Sequence, residues 1–324
     1  MADWQKISYN IKMLKHLNFG KKSSFGLDIS DESIKFIELI KTKNGIEIGH
    51  HGERKIPAGI IKSGKIKDRE WLEQILMLLK KEEGIKSAHI SLPYELFDKH
   101  EQNLGIEVAN MLQNIIEEYL SVFKNSEISA ESLGFEAEAI SRAVLKKNDK
   151  DTHMIVDFGK KRSGIFIVSD GAVVFTSVLE FSGTKLTDMI KETLKISFEE
   201  AEKIKKEHGL KRNSPDTNLS KILLEGFSIL RDEMNKHFVY WHLHNDKKEK
   251  EKLQIKKIIL CGSDSNIKGL SEYLSVAMRN KVELANVWTN ILNTQKLIPE
   301  INFDESFAFA PALGIALRGF DKRK

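Results

Sequence analysis

The amino-acid sequence predicts an α/β fold of two lobes, the second built on the plan of the first. A three-strand meander carrying an aspartate occurs twice, around Asp28 and around Asp157, and helices follow each copy. By motif spacing this is an internal repeat of about 130 residues. The 324 residues suffice for two lobes with cores of their own. Facing lobes leave a cleft between them, and such clefts are where ligands bind.

Taken in order, the chain opens with a segment unlike the rest. In residues 1–22, Trp4, Ile7, Ile11 and Leu14 fall at helical spacing with Lys6, Lys12 and Lys15 between them. Its apolar stripe suits a membrane surface, the body of the protein or a second copy. Strands are expected at Ser24–Ile29, Ser33–Ile40 and Ile46–Ile48, the last two joined at Asn44-Gly45. Pro57 and Gly59 mark a loop. Asp68 is a plausible N-cap for a helix through Lys81 with Trp71, Ile75, Leu78 and Leu79 on one face. A buried strand at Ala88–Leu92 stops at Pro93, and helices are expected over Val108–Phe123 and Glu136–Val144. The second meander is Met154–Phe158, Gly164–Val168 and Ala172–Leu179. Helices follow at 185–207 and 219–243, then a lysine-rich hinge at 246–257, a strand at Ile258–Leu260 and a helix at Ile267–Met278. A final apolar helix spans Phe307–Leu317. This divides the chain into the segment 1–22, a first lobe of residues 23–150 with a returning helix at 304–320, and a second lobe of residues 151–303.

Composition narrows the function. Hydrophobic residues make up 41% and charged residues 30%, a globular profile. A net charge of +4, from 51 basic and 47 acidic residues, is too small to imply nucleic acid as the main partner. The single cysteine, Cys261, permits no internal disulfide and reads as a small buried hydrophobe in a reducing compartment. No apolar run is long enough to span a bilayer, and no signal peptide is expected. The histidines of Trp241-His242-Leu243-His244 lack partners at metal-ligand spacing.

Three constellations carry chemistry. In Phe25-Gly26-Leu27-Asp28-Ile29-Ser30, followed by Ser33-Ile34-Lys35, a tight turn after an apolar strand sets backbone N–H groups beside a carboxylate. Such a turn can hold phosphate on its amides and a magnesium water on the aspartate, though an ordinary hairpin looks the same. Asp157-Phe158-Gly159-Lys160-Lys161-Arg162-Ser163-Gly164 repeats that logic, with Lys160 to Arg162 expected as a solvated turn. The third, from Ile258 through Cys261-Gly262-Ser263-Asp264 to Leu270, runs from a strand through small residues into a helix. Small residues let a nucleoside lie against backbone, and the helix start adds amide donors.

In this order the three pieces resemble the actin, Hsp70 and sugar-kinase superfamily: first phosphate loop, second phosphate loop, adenosine loop. From about residue 24 to 319 the chain more closely resembles the type IV pilus assembly protein PilM family. That resemblance rests on Pro57-Ala-Gly-Ile-Ile-Lys-Ser-Gly-Lys-Ile66, Phe135-Glu-Ala-Glu-Ala-Ile-Ser-Arg-Ala143, Asp157-Phe-Gly-Lys160, Ser182-Gly-Thr-Lys-Leu-Thr187 with Glu200-Ala-Glu-Lys203, and Phe309-Ala-Pro-Ala-Leu-Gly-Ile-Ala-Leu-Arg318. It implies an actin-like ATPase fold of duplicated ribonuclease H-like lobes. It also implies a cytosolic ATP-binding scaffold at the inner membrane that docks the short tail of a PilN-like membrane protein.

Carried over by residue, Asp28 and Asp157 resemble the magnesium-water carboxylates, Gly26, Ser30, Gly159 and Ser163 the phosphate contacts, and Glu136 the acid that positions the attacking water. Glu233 and Lys236 resemble the pair reaching ribose and adenine, and Gly262 and Ser263 the nucleoside wall. The chain departs from the pattern at Ser30 and at Ser263-Asp264, where glycine is usual. After Pro93 it has room only for a reduced form of the insert subdomain of PilM and FtsA. These departures keep two other readings open: an adaptor that works without nucleotide, and an FtsA-like or MreB-like filament former.

Overall fold

The computed structural model describes residues 22–43, 45–93, 96, 106–210, 217–244, 253–291 and 301–321. Of the N-terminal segment only Lys22 falls among them; Asn44, most of residues 94–105 and most of the 246–257 hinge lie outside the described residues.

The first lobe contains β1 (Ser23–Ile29), β2 (Ser33–Thr42), β3 (Gly45–Lys55), a hairpin of β4 (Ile61–Lys62) and β5 (Lys65–Ile66), α1 (Arg69–Glu83), β6 (Ser87–Leu92), α2 (Ile106–Asn125), β7 (Ser129–Phe135) and α3 (Glu136–Val144). The second contains β8 (Thr152–Phe158), β9 (Ser163–Ser169), β10 (Ala172–Leu179), α4 (Gly183–Leu194), α5 (Phe198–His208), α6 (Thr217–His244), β11 (Ile255–Cys261), α7 (Leu270–Met278) and β12 (Val282–Leu284). The chain then forms α8 (Phe303–Ser306), a 3-10 turn (Phe307–Phe309) and α9 (Ala310–Leu317).

The repeat is exact in topology. One sheet runs β3-β2-β1-β6-β7 and the other β10-β9-β8-β11-β12. In each, three antiparallel strands lead to two parallel ones. The turn between β9 and β10 is Asp170-Gly171, both at positive φ, as the hand of a two-residue hairpin requires.

Strand alternation assigns the faces. Met154, Val156 and Phe158 of β8 enter a core with α4 to α7, whereas Ile155 enters a central core that also holds Ile37, Phe166, Ile259 and Leu313. Leu27 and Ile29 of β1 enter a third core under α1 and α2. Side chains alternate across a strand, so Asp157 shares the face of Ile155, and Asp28 lies opposite Leu27 and Ile29. Both aspartates are thus turned to the side where the lobes meet. The returning helix α9 seats backbone-close on the first lobe. On β1 an added Gly26 Cβ would strike the Ala312 carbonyl of α9; on α9 an added Gly314 Cβ would strike that of Ala139 in α3. The Ser24 hydroxyl also donates to the Ala316 carbonyl (2.7 Å), tying the last helix to the first strand.

The structure differs from the expectations in several places. β7 and β12, which finish each sheet, were not foreseen. The expected helix 185–207 is two, broken at Lys195 in the left-handed region (φ 55°). Asp68 caps α1 as expected, accepting from the Trp71 amide (3.0 Å), but the buried stripe is Leu72, Ile75, Leu76 and Leu79 while Leu78 faces solvent. Between β6 and β7 the described residues hold one helix, α2, fixed by Tyr119 Oη to the Gly64 carbonyl (2.9 Å). No helix among the described residues is long and apolar enough to cross a membrane.

Candidate functional site

A cleft of about 590 Å³ opens between the lobes, lined by the β1–β2 turn, the β8–β9 turn, the β11–α7 turn, the start of α3 and the 307–311 stretch. Each turn is locally over-determined. The Ser30 amide and hydroxyl both donate to the Ser33 carbonyl (3.0 Å each), and the Ser30 oxygen accepts from the Ser33 amide (3.2 Å). The Asp31 carboxylate accepts from the Ser63 and Gly64 amides (2.7 and 3.0 Å), pinning this turn to the β4–β5 hairpin.

In the second turn the Gly159 amide donates to the Arg162 carbonyl (3.1 Å). The Gly159 and Lys160 carbonyls accept from Gly183 and Thr184 at the start of α4 (3.0 and 2.7 Å). In the third, Gly262 sits at φ 91° against Asp157; a Cβ there would approach Asp157 Oδ1 to 2.5 Å. Glycine is needed at 262 for both reasons.

The electrostatics are specific. Asp28 is buried, and its Oδ1 has no hydrogen-bond partner among the described residues. Burial raises its pKa above the usual carboxylate value against the opposing charges of Lys35 and Arg162. Arg162 donates from Nη2 to both oxygens of Glu136 (2.9 Å each), and Lys161 pairs with Glu32 across the same gap. Acidic and basic side chains line the cleft in equal number. Asp28 from one sheet and Asp157 from the other therefore meet in one polar cleft with oxygen donors, one of them unsatisfied. That donor set suits a hard cation such as magnesium.

Of the residues singled out from sequence, Asp28, Ser30, Glu136, Asp157, Gly159, Gly262 and Ser263 line this cleft. Four do not. Gly26 lies beneath α9, where its missing Cβ lets the helix approach. Ser163 is fully buried at the start of β9. Glu233 lines a separate hollow with Phe181, Lys185 and Ile229 and accepts from the Phe181 amide (3.2 Å); Lys236 is not among the lining residues of either hollow.

The helix-borne lysine that does reach the cleft is Lys206 on α5, paired with Glu202 at i,i+4 (3.2 Å). Its signal was the Glu-x-x-x-Lys spacing next to Glu200-Ala-Glu-Lys203. The Lys160–Arg162 triplet, expected as a solvated turn, lines the cleft and bridges it.

Duplicated five-stranded sheets around an interlobe cleft with one aspartate from each define the two-lobed actin fold class. Among solved structures, the chain is similar to the PilM–PilN type IV pilus biogenesis complex (15% identity, 92% of this chain and 99% of that one, TM-score 0.67). It is also similar to MreB5 of Spiroplasma citri bound to ADP (14%, 91% and 95%, TM-score 0.61) and to the ethanolamine utilization protein EutJ from Carboxydothermus hydrogenoformans (19%, 97% and 97%, TM-score 0.55). At these identities the likeness is one of fold. The family model for type IV pilus assembly protein PilM matches residues 108–320, and the chain belongs to that family.

Proposed function

We propose that this chain is an ATP-binding scaffold of type IV pilus assembly, working at the cytosolic face of the inner membrane and docking a PilN-like tail. The observation that carries the nucleotide reading is the meeting of Asp28 and Asp157 from equivalent strands of the two sheets, with Asp28 Oδ1 left without a hydrogen bond among the described residues. Asp28 and Asp157 would hold magnesium, which would neutralise phosphate charge when bound. The amides of the two turns would cradle phosphates, and Gly262 and Ser263 would face the nucleoside. Glu136, at the first position of α3, would orient a water, and hydrolysis would be slow at most while Arg162 holds it.

A melting experiment tests this. Saturating Mg-ATP should raise the melting temperature, since ligand at a hundred times its Kd adds roughly 2.7 kcal/mol. Asp157→Ala should lose the shift and stay folded. No shift for the unaltered protein in millimolar Mg-ATP would favour the adaptor reading, which the internally paired cleft charges, Arg162–Glu136 and Lys161–Glu32, support.

The partner reading places the PilN-like tail on an edge of the first sheet, β3 or β7, by strand addition. Titration of such a peptide against a chain lacking residues 94–106 separates the edge from the reduced insert: retained binding supports the edge. For residues 2–19, outside the described residues, flotation with anionic vesicles distinguishes membrane contact from packing on protein or self-association.

A further inference from the structure

We propose that Arg162 is a latch on Glu136 that polyphosphate releases. The inference rests on the nucleotide reading of the cleft and says how that cleft responds to its ligand.

The latch spans the lobes. The Arg162 backbone closes the β8–β9 turn of the second lobe, while Glu136 opens α3 in the first. One nitrogen, Nη2, bridges both carboxylate oxygens at 2.9 Å, with side chains only 20% and 5% exposed. A desolvated, charge-assisted contact of this kind is strong, and it commits Nη2 of the guanidinium to a carboxylate instead of the cleft. Its charge nevertheless bears on Asp28, so it lies within electrostatic reach of the place where magnesium and phosphate would sit.

A phosphate oxygen pair matches the guanidinium fork as well as a carboxylate does, and a polyphosphate carries several charges to the carboxylate's one. Polyphosphate therefore draws Arg162 from Glu136. The freed carboxylate, in the first turn of α3, turns to water. Without ligand, the same pair ties the lobes together and withholds the group that would position the attacking water. Lys161 with Glu32 repeats the arrangement at the rim, where both side chains are about half exposed and screened.

The test is calorimetric titration of Mg-ATP into the full chain and four variants, with each variant's melting curve recorded without ligand. Glu136→Gln removes the competitor for Arg162 and should bind about tenfold more tightly. Arg162→Gln should bind about a hundredfold more weakly, and Arg162→Lys, which keeps the charge but not the fork, should fall between. In the Arg162→Gln background, Glu136→Gln should give no gain. Equal or weaker binding by Glu136→Gln overturns the latch, as does unchanged binding by Arg162→Lys. If Arg162→Gln does not fold, the Lys and Glu136 variants still decide. An unaltered protein that binds no Mg-ATP overturns the nucleotide reading and the latch together; one that binds while the variants miss the pattern overturns the latch alone.

Discussion

Lys205 Nζ and Asp264 Oδ1 stand 2.6 Å apart, and neither side chain reaches solvent. The lysine also bonds Thr187 Oγ1 (2.9 Å), the Gly183 carbonyl (3.1 Å) and Glu202 (2.8 Å). Asp264 is one of the departures from the resemblance noted in the sequence. Its carboxylate points inward, into space that a Cβ on Gly183 would fill. One pair thus joins the third cleft turn to α4 and α5.

Breaking this pair from either side strands a buried charge. Lys205→Met or Asp264→Asn should each cost about 3–5 kcal/mol in urea unfolding, and the double variant should recover much of the loss, because removing both charges removes the desolvation cost. Additive losses would show that the two side chains act independently.

Glu202 sets an acid limit on the same network. Burial pushes its carboxyl up, but hydrogen bonds from Lys205 and Thr187 and the charges of Lys205 and Lys206 outweigh that and bring it to about 2. A depressed folded pKa stabilises the fold above the unfolded value and loses that contribution as pH falls. Glu202→Gln should therefore flatten the fall in melting temperature between about pH 4.5 and 2 relative to the unaltered chain. A fall of the same steepness in both would remove Glu202 from the account.

Gly314 and Gly26 test how α9 seats on the first lobe. Gly314→Ala drives a methyl into the Ala139 carbonyl, and Gly26→Ala drives one into Ala312. Each meets backbone, which cannot rotate away, so each should cost about 3 kcal/mol by chemical denaturation, at the upper end for overpacking. Gly59→Ala meets nothing within 4 Å but sits at φ 97°, so its smaller loss gives the price of strain alone.

Much of the fold was legible because it is written twice. The Asp28 and Asp157 meanders, the Asp68 cap and the apolar run at Phe307–Leu317 each carry a local signal, and the repeat made their sum specific. β7 was not legible: Ser129–Phe135 is only partly buried and reads Ser-Ala-Glu-Ser-Leu-Gly-Phe, with little β-branching. β12 is three residues long, too short for any period.

In the site, the aspartates and Gly262 could be found from turn chemistry. Arg162 and the inward Asp264 could not, because which way a polar side chain turns depends on partners distant in sequence. Glu233 and Lys236 had the right i,i+3 spacing on a helix, yet Glu233 is held at Phe181 by the packing of α6.

Asp28 brings stability and function into opposition. Burial raises its folded pKa, so ionising the carboxylate costs the fold stability as pH rises past the unfolded value, and protonation on acidification removes that cost. The charges of Lys35 and Arg162 and a hydrogen bond from Ser91 oppose this without cancelling it. Asp28→Asn keeps the shape and discards the charge. Without ligand at pH 7 it should be more stable than the unaltered chain by on the order of 1 kcal/mol, or about 2 °C. In saturating Mg-ATP the order should reverse, because a neutral amide holds magnesium poorly and the unaltered chain gains the binding energy. Crossing melting temperatures would mean that the carboxylate is kept for its ligand at the expense of the empty fold. A variant less stable under both conditions would mean instead that Asp28 is a structural partner of Lys35 and Arg162.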